Sequence, residues 1–171
     1  MKKLASIAIA SLLALTLTAC VPGLPMSGSN SDDKKTETTT KVLTLGSTGQ
    51  TEDGVTATLV SLKKAGKKGF STPENEYFLL AEFEIVNNSE EDVAISSAMC
   101  FSLVSEGGKT YDMNYFYEVE SGLDGTIKPG RKLVGQVAFD VNPENLYYLT
   151  FEPSLFSEGL EFQFSSNDFA G

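Results

Sequence analysis

The chain has 171 residues, 41% of them hydrophobic, and a formal net charge of -10. That is one domain with extensions, and two cysteines exclude a disulfide-dense scaffold or a four-cysteine zinc site. A composition without histidine excludes His-based triads, Cys-His dyads and His-ligated zinc, and 23 acidic against 13 basic residues argue against a nucleic-acid partner. In chain order, Met1-Lys2-Lys3 leads into an apolar run from Leu4 to Leu17 and a small-residue exit. This pattern predicts a cleaved signal peptide over residues 1–19. The run carries Ser6, Ser11 and Thr16 and is shorter than about 18 residues, too short and polar for a spanning helix.

The exit, Leu17-Thr18-Ala19-Cys20, resembles the lipobox of bacterial lipoproteins. The resemblance implies cleavage between Ala19 and Cys20 and a diacylglyceryl group on the Cys20 sulfur. No other cofactor is expected. Each buried methylene contributes about 0.8 kcal/mol, and two acyl chains hold a protein stably on a bilayer. The expected location is the outer, extracytoplasmic face of the cell membrane, with the bilayer as one partner through the anchor. Of the 13 basic residues only Arg131 is an arginine, a bias pointing to an AT-rich genome and a Gram-positive host. Lipidation leaves Cys100, between Met99 and Phe101, as a lone thiol that reads as a small buried hydrophobe.

Residues 20–40 are dominated by Ser, Thr, Gly and charge and contain no aromatic residue. They bury too little apolar area to offset the entropy of ordering and read as a disordered tether, spanning roughly 25 Å on average. Residues 41–171 read as strands. Leu79, Ala81, Phe83 and Ile85 alternate with Leu80, Glu82, Glu84 and Val86; Val137, Phe139 and Val141 alternate with Gln136, Ala138 and Asp140; Leu160, Phe162 and Phe164 alternate with Glu161 and Gln163. Further strands are expected over Val42–Leu45, Val55–Leu62, Val93–Val104, Thr110–Phe116 and Leu146–Glu152. Asn87-Asn88-Ser89, Glu106-Gly107-Gly108, Lys128-Pro129-Gly130 and Asn142-Pro143 supply turns between them. The fold class is all-β, an antiparallel β-sandwich of about seven to nine strands.

From about Thr44 to Phe164 this pattern is similar to a bacterial immunoglobulin-like domain of unknown function found in exported lipoproteins, related in fold to a small secreted mycobacterial antigen. The likeness rests on the order of Phe83-Glu84-Ile85-Val86-Asn87-Asn88-Ser89, Phe101-Ser102-Leu103-Val104, Gly108-Lys109-Thr110-Tyr111, Leu123-Asp124-Gly125-Thr126-Ile127-Lys128-Pro129-Gly130 and Gly135-Gln136-Val137-Ala138-Phe139-Asp140-Val141. It implies a fold and a compartment and brings no catalytic residue.

Ser61-Leu62-Lys63-Lys64 has the Ser-x-x-Lys spacing of penicillin-recognising enzymes, but the serine ends a strand-like run and the companion motifs do not occur. No catalytic residue is assigned and the chain reads as a non-enzyme. Lys63, Lys64, Lys67 and Lys68 crowd into six residues of an acidic chain. They suit a hairpin tip that resists edge pairing or a contact with anionic wall polymer or headgroups. Tyr111, Tyr115, Phe116 and Tyr117 form the densest aromatic stretch, fit for recognition or for strand packing. No metal site is assigned; Glu118, Glu120 and Asp124 form the weak candidate for a cation. The leading reading is a membrane-anchored, non-catalytic module that binds an envelope or extracellular partner. The alternatives are a small envelope hydrolase using paired carboxylates, or a structural or regulatory subunit of an envelope assembly.

Overall fold

The computed structural model describes residues 42–155 and 158–170. The expected signal peptide, the Ala19–Cys20 cleavage site, the Cys20 lipid and the tether lie outside them.

Ten strands form in chain order: β1 (Thr48–Gln50), β2 (Val55–Ala65), β3 (Tyr77–Asn87), β4 (Val93–Ile95), β5 (Phe101–Ser105), β6 (Thr110–Tyr111), β7 (Gly125–Ile127), β8 (Lys132–Val141), β9 (Tyr147–Phe151) and β10 (Leu160–Phe164). Two four-stranded sheets, ordered β1-β2-β3-β8 and β10-β9-β5-β6, make an antiparallel immunoglobulin-like β-sandwich. Their eight strands match the expected seven to nine. β4 and β7 pair separately as a ribbon.

Alternation builds the core. On β3, Leu79, Ala81, Phe83 and Ile85 are fully buried while Glu82 and Glu84 face outward. The Phe83 ring lies 5.2 Å from Phe101, 5.3 Å from Phe162 and 6.5 Å from Phe151, so one side chain of the first sheet meets three of the second. On β2 the inward set is Val55, Ala57 and Leu59 but then Leu62. A bulge between Leu59 and Ser61 shifts the register, leaving Val60 46% exposed. It also turns Ser61 outward, where its hydroxyl donates to Glu82 Oε2 at 2.8 Å.

Three expected strands come out differently. Val42–Leu45 forms no strand; only Leu43 bridges Phe162, in parallel, accepting a bond from Gln163 N. Val93–Val104 is broken by a four-residue helix, α1 (Ser97–Cys100), between β4 and β5. Thr110–Phe116 keeps only two strand residues, because the chain then leaves the sheet to run along β8. Met113 bridges Phe139, Asn114 N donates to Ala138 O, Gln136 N donates to Ser121 O, and Gly122 bridges Gln136. The stretch from Met113 to Gly122 thus covers the edge of β8. The approach is so close that a Cβ on Gly135 would stand 2.6 Å from the Gly122 carbonyl oxygen. Tyr117 from this stretch also packs on the outer face of β3, its ring 4.8 Å from Phe78.

Asn87, first in the expected Asn-Asn-Ser turn, is fully buried. Its amide donates to Glu91 O (2.7 Å) and Ile127 O (2.8 Å) and accepts from Ser89 N and Ser89 Oγ. Cys100 is free and buried, and burial pushes its thiol pKa up.

Candidate functional site

The strand orders give the sandwich two unlike corners. On one side stand the edges β1 and β10, against which the chain arrives at Val42 and Leu43. β10 runs upward from Leu160, and Leu43 runs parallel to it, so the chain comes in from the Leu160 end. On the opposite side stand β8 and β6, and the end of the strands away from Leu160 carries the loops at 66–76, 106–109 and 142–146. In the corner diagonal to the chain's arrival lies an open groove of about 790 Å³.

Its near wall is a tight turn. Lys68 N donates to Ser71 O at 3.0 Å and Ser71 N donates to Lys68 O at 2.9 Å, with Gly69 and Phe70 at the corners. Gly69 has φ +58, a conformation that glycine adopts without strain. The turn holds Phe70 out in solvent at 108% relative exposure. The far wall is the stretch after β6. Asn114 Oδ1 accepts from Phe116 N (3.0 Å) and Tyr117 N (2.8 Å), a side-chain turn that leaves Phe116 89% and Tyr115 64% exposed. Asp140 pins the loop between them, accepting from Glu74 N at 2.7 Å and Asn75 N at 3.0 Å.

The expected aromatic cluster therefore divides. Tyr115 and Phe116 line the groove as exposed rings; Tyr111 also borders it but is buried, and Tyr117 is buried outside the lining. The Tyr111 ring packs 6.0 Å from Tyr147, and its hydroxyl donates to Glu144 Oε1. Burial first, and the bond to the Glu144 carboxylate second, push this phenol up to about 12. The Tyr147 hydroxyl donates to Asn142 O, and burial raises its pKa as well.

The lysine cluster divides too. Lys68 lines the groove; its ammonium donates to Glu118 O at 2.6 Å and lies 5.5 Å from the Tyr117 ring. Lys64 instead sits 4.9 Å from the Tyr77 ring and 5.8 Å from Phe169. It belongs to a clamp in which Ala170 N donates to Leu62 O and Lys64 N donates to Ala170 O. Lys63 shares a bridge with Ala170, and Lys63 and Lys67 are exposed outside the groove lining. Of the carboxylate candidates, Glu118 lines the groove and Glu120 is exposed. Asp124 accepts from Ser97 N (2.9 Å) and Ser97 Oγ (2.8 Å), fastening the first turn of α1. No three Asp, Glu or Cys side chains among the described residues come together to hold a metal.

The groove residues that were not foreseen include Phe70, Ser71, Glu74, Lys109, Asp112 and Asp140. Phe70 had a legible signal, an isolated aromatic next to glycine in a polar stretch, where no alternation could bury it. Lys109 follows the Gly107-Gly108 turn and reaches Asn75 Oδ1 (3.2 Å) and the Tyr111 ring (4.5 Å), contacts that only the tertiary fold creates.

Fold and site together define an immunoglobulin-like β-sandwich whose loops at one corner hold apolar rings in water. The chain belongs to the family described as a domain of unknown function (DUF4352), whose model matches residues 45–162. Among solved structures, the yjhA protein from Bacillus subtilis is similar at TM-score 0.58 and 16% identity over 71% of this chain and 99% of its own. The secreted protein MPT63 from Mycobacterium tuberculosis is similar at TM-score 0.51 and 15% identity over 72% and 97%. The ycdA protein from Bacillus subtilis, described as a candidate lipoprotein, is similar at TM-score 0.57 and 14% identity; the match covers 70% of this chain but 38% of that one. At these identities the likeness is one of fold. No curated protein sequence matches the chain.

Proposed function

We propose that the protein is an extracytoplasmic lipoprotein, anchored by a diacylglyceryl group on Cys20, that displays a non-catalytic binding domain at the outer face of the cell membrane. Three features support the location: the signal-like start, the Leu17-Thr18-Ala19-Cys20 exit, and the company of a secreted protein and a candidate lipoprotein sharing the fold. The observation that carries the binding role is the convergence of Phe70, Tyr115 and Phe116, all exposed, on one groove. Rings held in water by rigid turns are what an interface centre requires. The non-catalytic reading is supported by a buried thiol whose pKa burial raises and a Ser61 hydroxyl hydrogen-bonded to Glu82 in mid-strand.

Two experiments test this. Cells fed an alkynyl fatty acid are expected to label the wild type and leave Cys20→Ala unlabelled; an unlabelled wild type overturns the anchor. A photo-crosslinking residue at position 116 is expected to capture one envelope or extracellular component in intact cells, while the same residue at position 158 captures none. Equal capture at both positions, or none at 116, overturns the binding role.

A further inference from the structure

Resting on the reading of the groove as a binding surface, we propose that its occupant is a basic, extended polypeptide segment of a protein partner. Lysine or arginine side chains of that segment would lie over Phe70, Tyr115 and Phe116 and against Glu74, Asp112 and Glu118. The lysine-rich sequence suggested the opposite, an anionic polymer, but the residues that the fold gathers at the groove carry a net negative charge. The groove lining holds two lysines, Lys68 and Lys109, against four carboxylates. Both ammonium groups are held against the walls: Lys68 by Glu118 O and the Tyr117 ring, Lys109 by Asn75 Oδ1 and the Tyr111 ring. Asp140 is occupied by two backbone amides of the 74–75 loop. Among the described residues, the carboxylates of Glu74, Asp112 and Glu118 have no hydrogen-bond or ion-pair partner, and the ion pair found there joins Lys132 and Glu84 elsewhere.

Both ammonium groups keep their charge, but four carboxylates against two lysines leave the lining net negative, and its unpaired carboxylates stand among three exposed ring faces. An aromatic face attracts a cation within about 6 Å, more strongly when the pair is desolvated. A polyanion would meet three unpaired carboxylates on a chain already at net charge -10.

The test measures fluorescence anisotropy of labelled decapeptides, alternating Lys-Gly or alternating Glu-Gly, with the purified full chain. Phosphatidylglycerol vesicles serve as a third probe. The Lys-Gly peptide is expected to bind, and to lose at least about tenfold in affinity with the Glu74→Gln/Asp112→Asn/Glu118→Gln triple variant and with Phe116→Ala. A triple variant of equal charge change at the other end, Glu52→Gln/Glu158→Gln/Glu161→Gln, is expected to stay within about twofold of wild type. Equal losses in the two triples would reduce the effect to bulk charge and overturn the proposal. So would no binding of the Lys-Gly peptide, or binding of the Glu-Gly peptide or vesicles that disappears with Lys68→Gln/Lys109→Gln. Capture at position 116 without a basic-peptide preference defeats this ligand class alone; loss of that capture defeats the binding role itself.

Discussion

Phe83 and Phe116 are the same side chain under opposite conditions. Phe83 sits mid-strand, where alternation points it between two sheets and three other phenylalanines close around it. Phe116 sits past the end of β6, on a turn fixed by Asn114, and is 89% exposed. Backbone context, rather than side-chain hydrophobicity, decides which ring stabilises the domain and which remains available to a partner.

The contrast is broken most directly by truncation. Phe83→Ala is expected to destabilise the domain by about 3–5 kcal/mol in urea unfolding, the range for an aromatic removed from a closed core. A loss below about 1 kcal/mol would show that the two sheets do not meet at this residue. Next comes the seam between the covering stretch and β8. Gly135→Ala places a Cβ 2.6 Å from the Gly122 carbonyl oxygen, and overpacking of this kind costs about 1–3 kcal/mol. Hydrogen exchange should report it at the Gln136 amide, whose acceptor is Ser121 O; unchanged protection there would contradict the seam.

A smaller effect separates the buried tyrosines from the exposed one. The Tyr111 phenol rises from its ordinary 10 to about 12, so folding favours its neutral form. The stability this contributes is complete below pH 10 and is lost as pH rises from 10 towards 12. Tyr111→Phe should flatten that decline in urea midpoints taken across this interval. Tyr147 is raised as well, so some slope should persist. An unchanged profile would mean that Tyr111 ionises without hindrance. The smallest effect is expected at the groove: Phe70→Ser and Phe116→Ser should each shift stability by no more than about 0.5 kcal/mol. A larger loss would make these rings structural after all.

Much of the sandwich was legible because strand alternation is a local signal. β3, β9 and β10 lie within a residue or two of where their buried and outward residues placed them. Events set by distant partners were not legible. The bulge at Val60 reverses the inward parity of β2 and is visible only in its pairing with Phe83 and Glu82. The strand expected over Thr110–Phe116 was cut to two residues for the same kind of reason. Residues 112–116 alternate well enough for a strand, but β8 has a free edge there and the loop bonds to it outside any regular ladder. In the groove, the sequence located Tyr115, Phe116 and Lys68, yet spacing alone could not show that Tyr111 and Tyr117 turn inward. Nor could it show that the lysines are bonded to the protein's own carbonyl and amide oxygens while Glu74, Asp112 and Glu118 stay free. Charge counted along a chain does not show which charges the fold gathers on one surface.

The stretch from Met113 to Gly122 carries one more consequence. The residues that present Tyr115 and Phe116 to solvent also seal the unpaired side of β8. The proposed recognition surface and the cover of a sheet edge thereby share the same ten residues, and the length of this loop is not free to drift. A deletion here would strip the aromatic display and bare a raw β-edge able to zip onto another molecule, so that blindness to the partner and fibre-like self-association would arrive together.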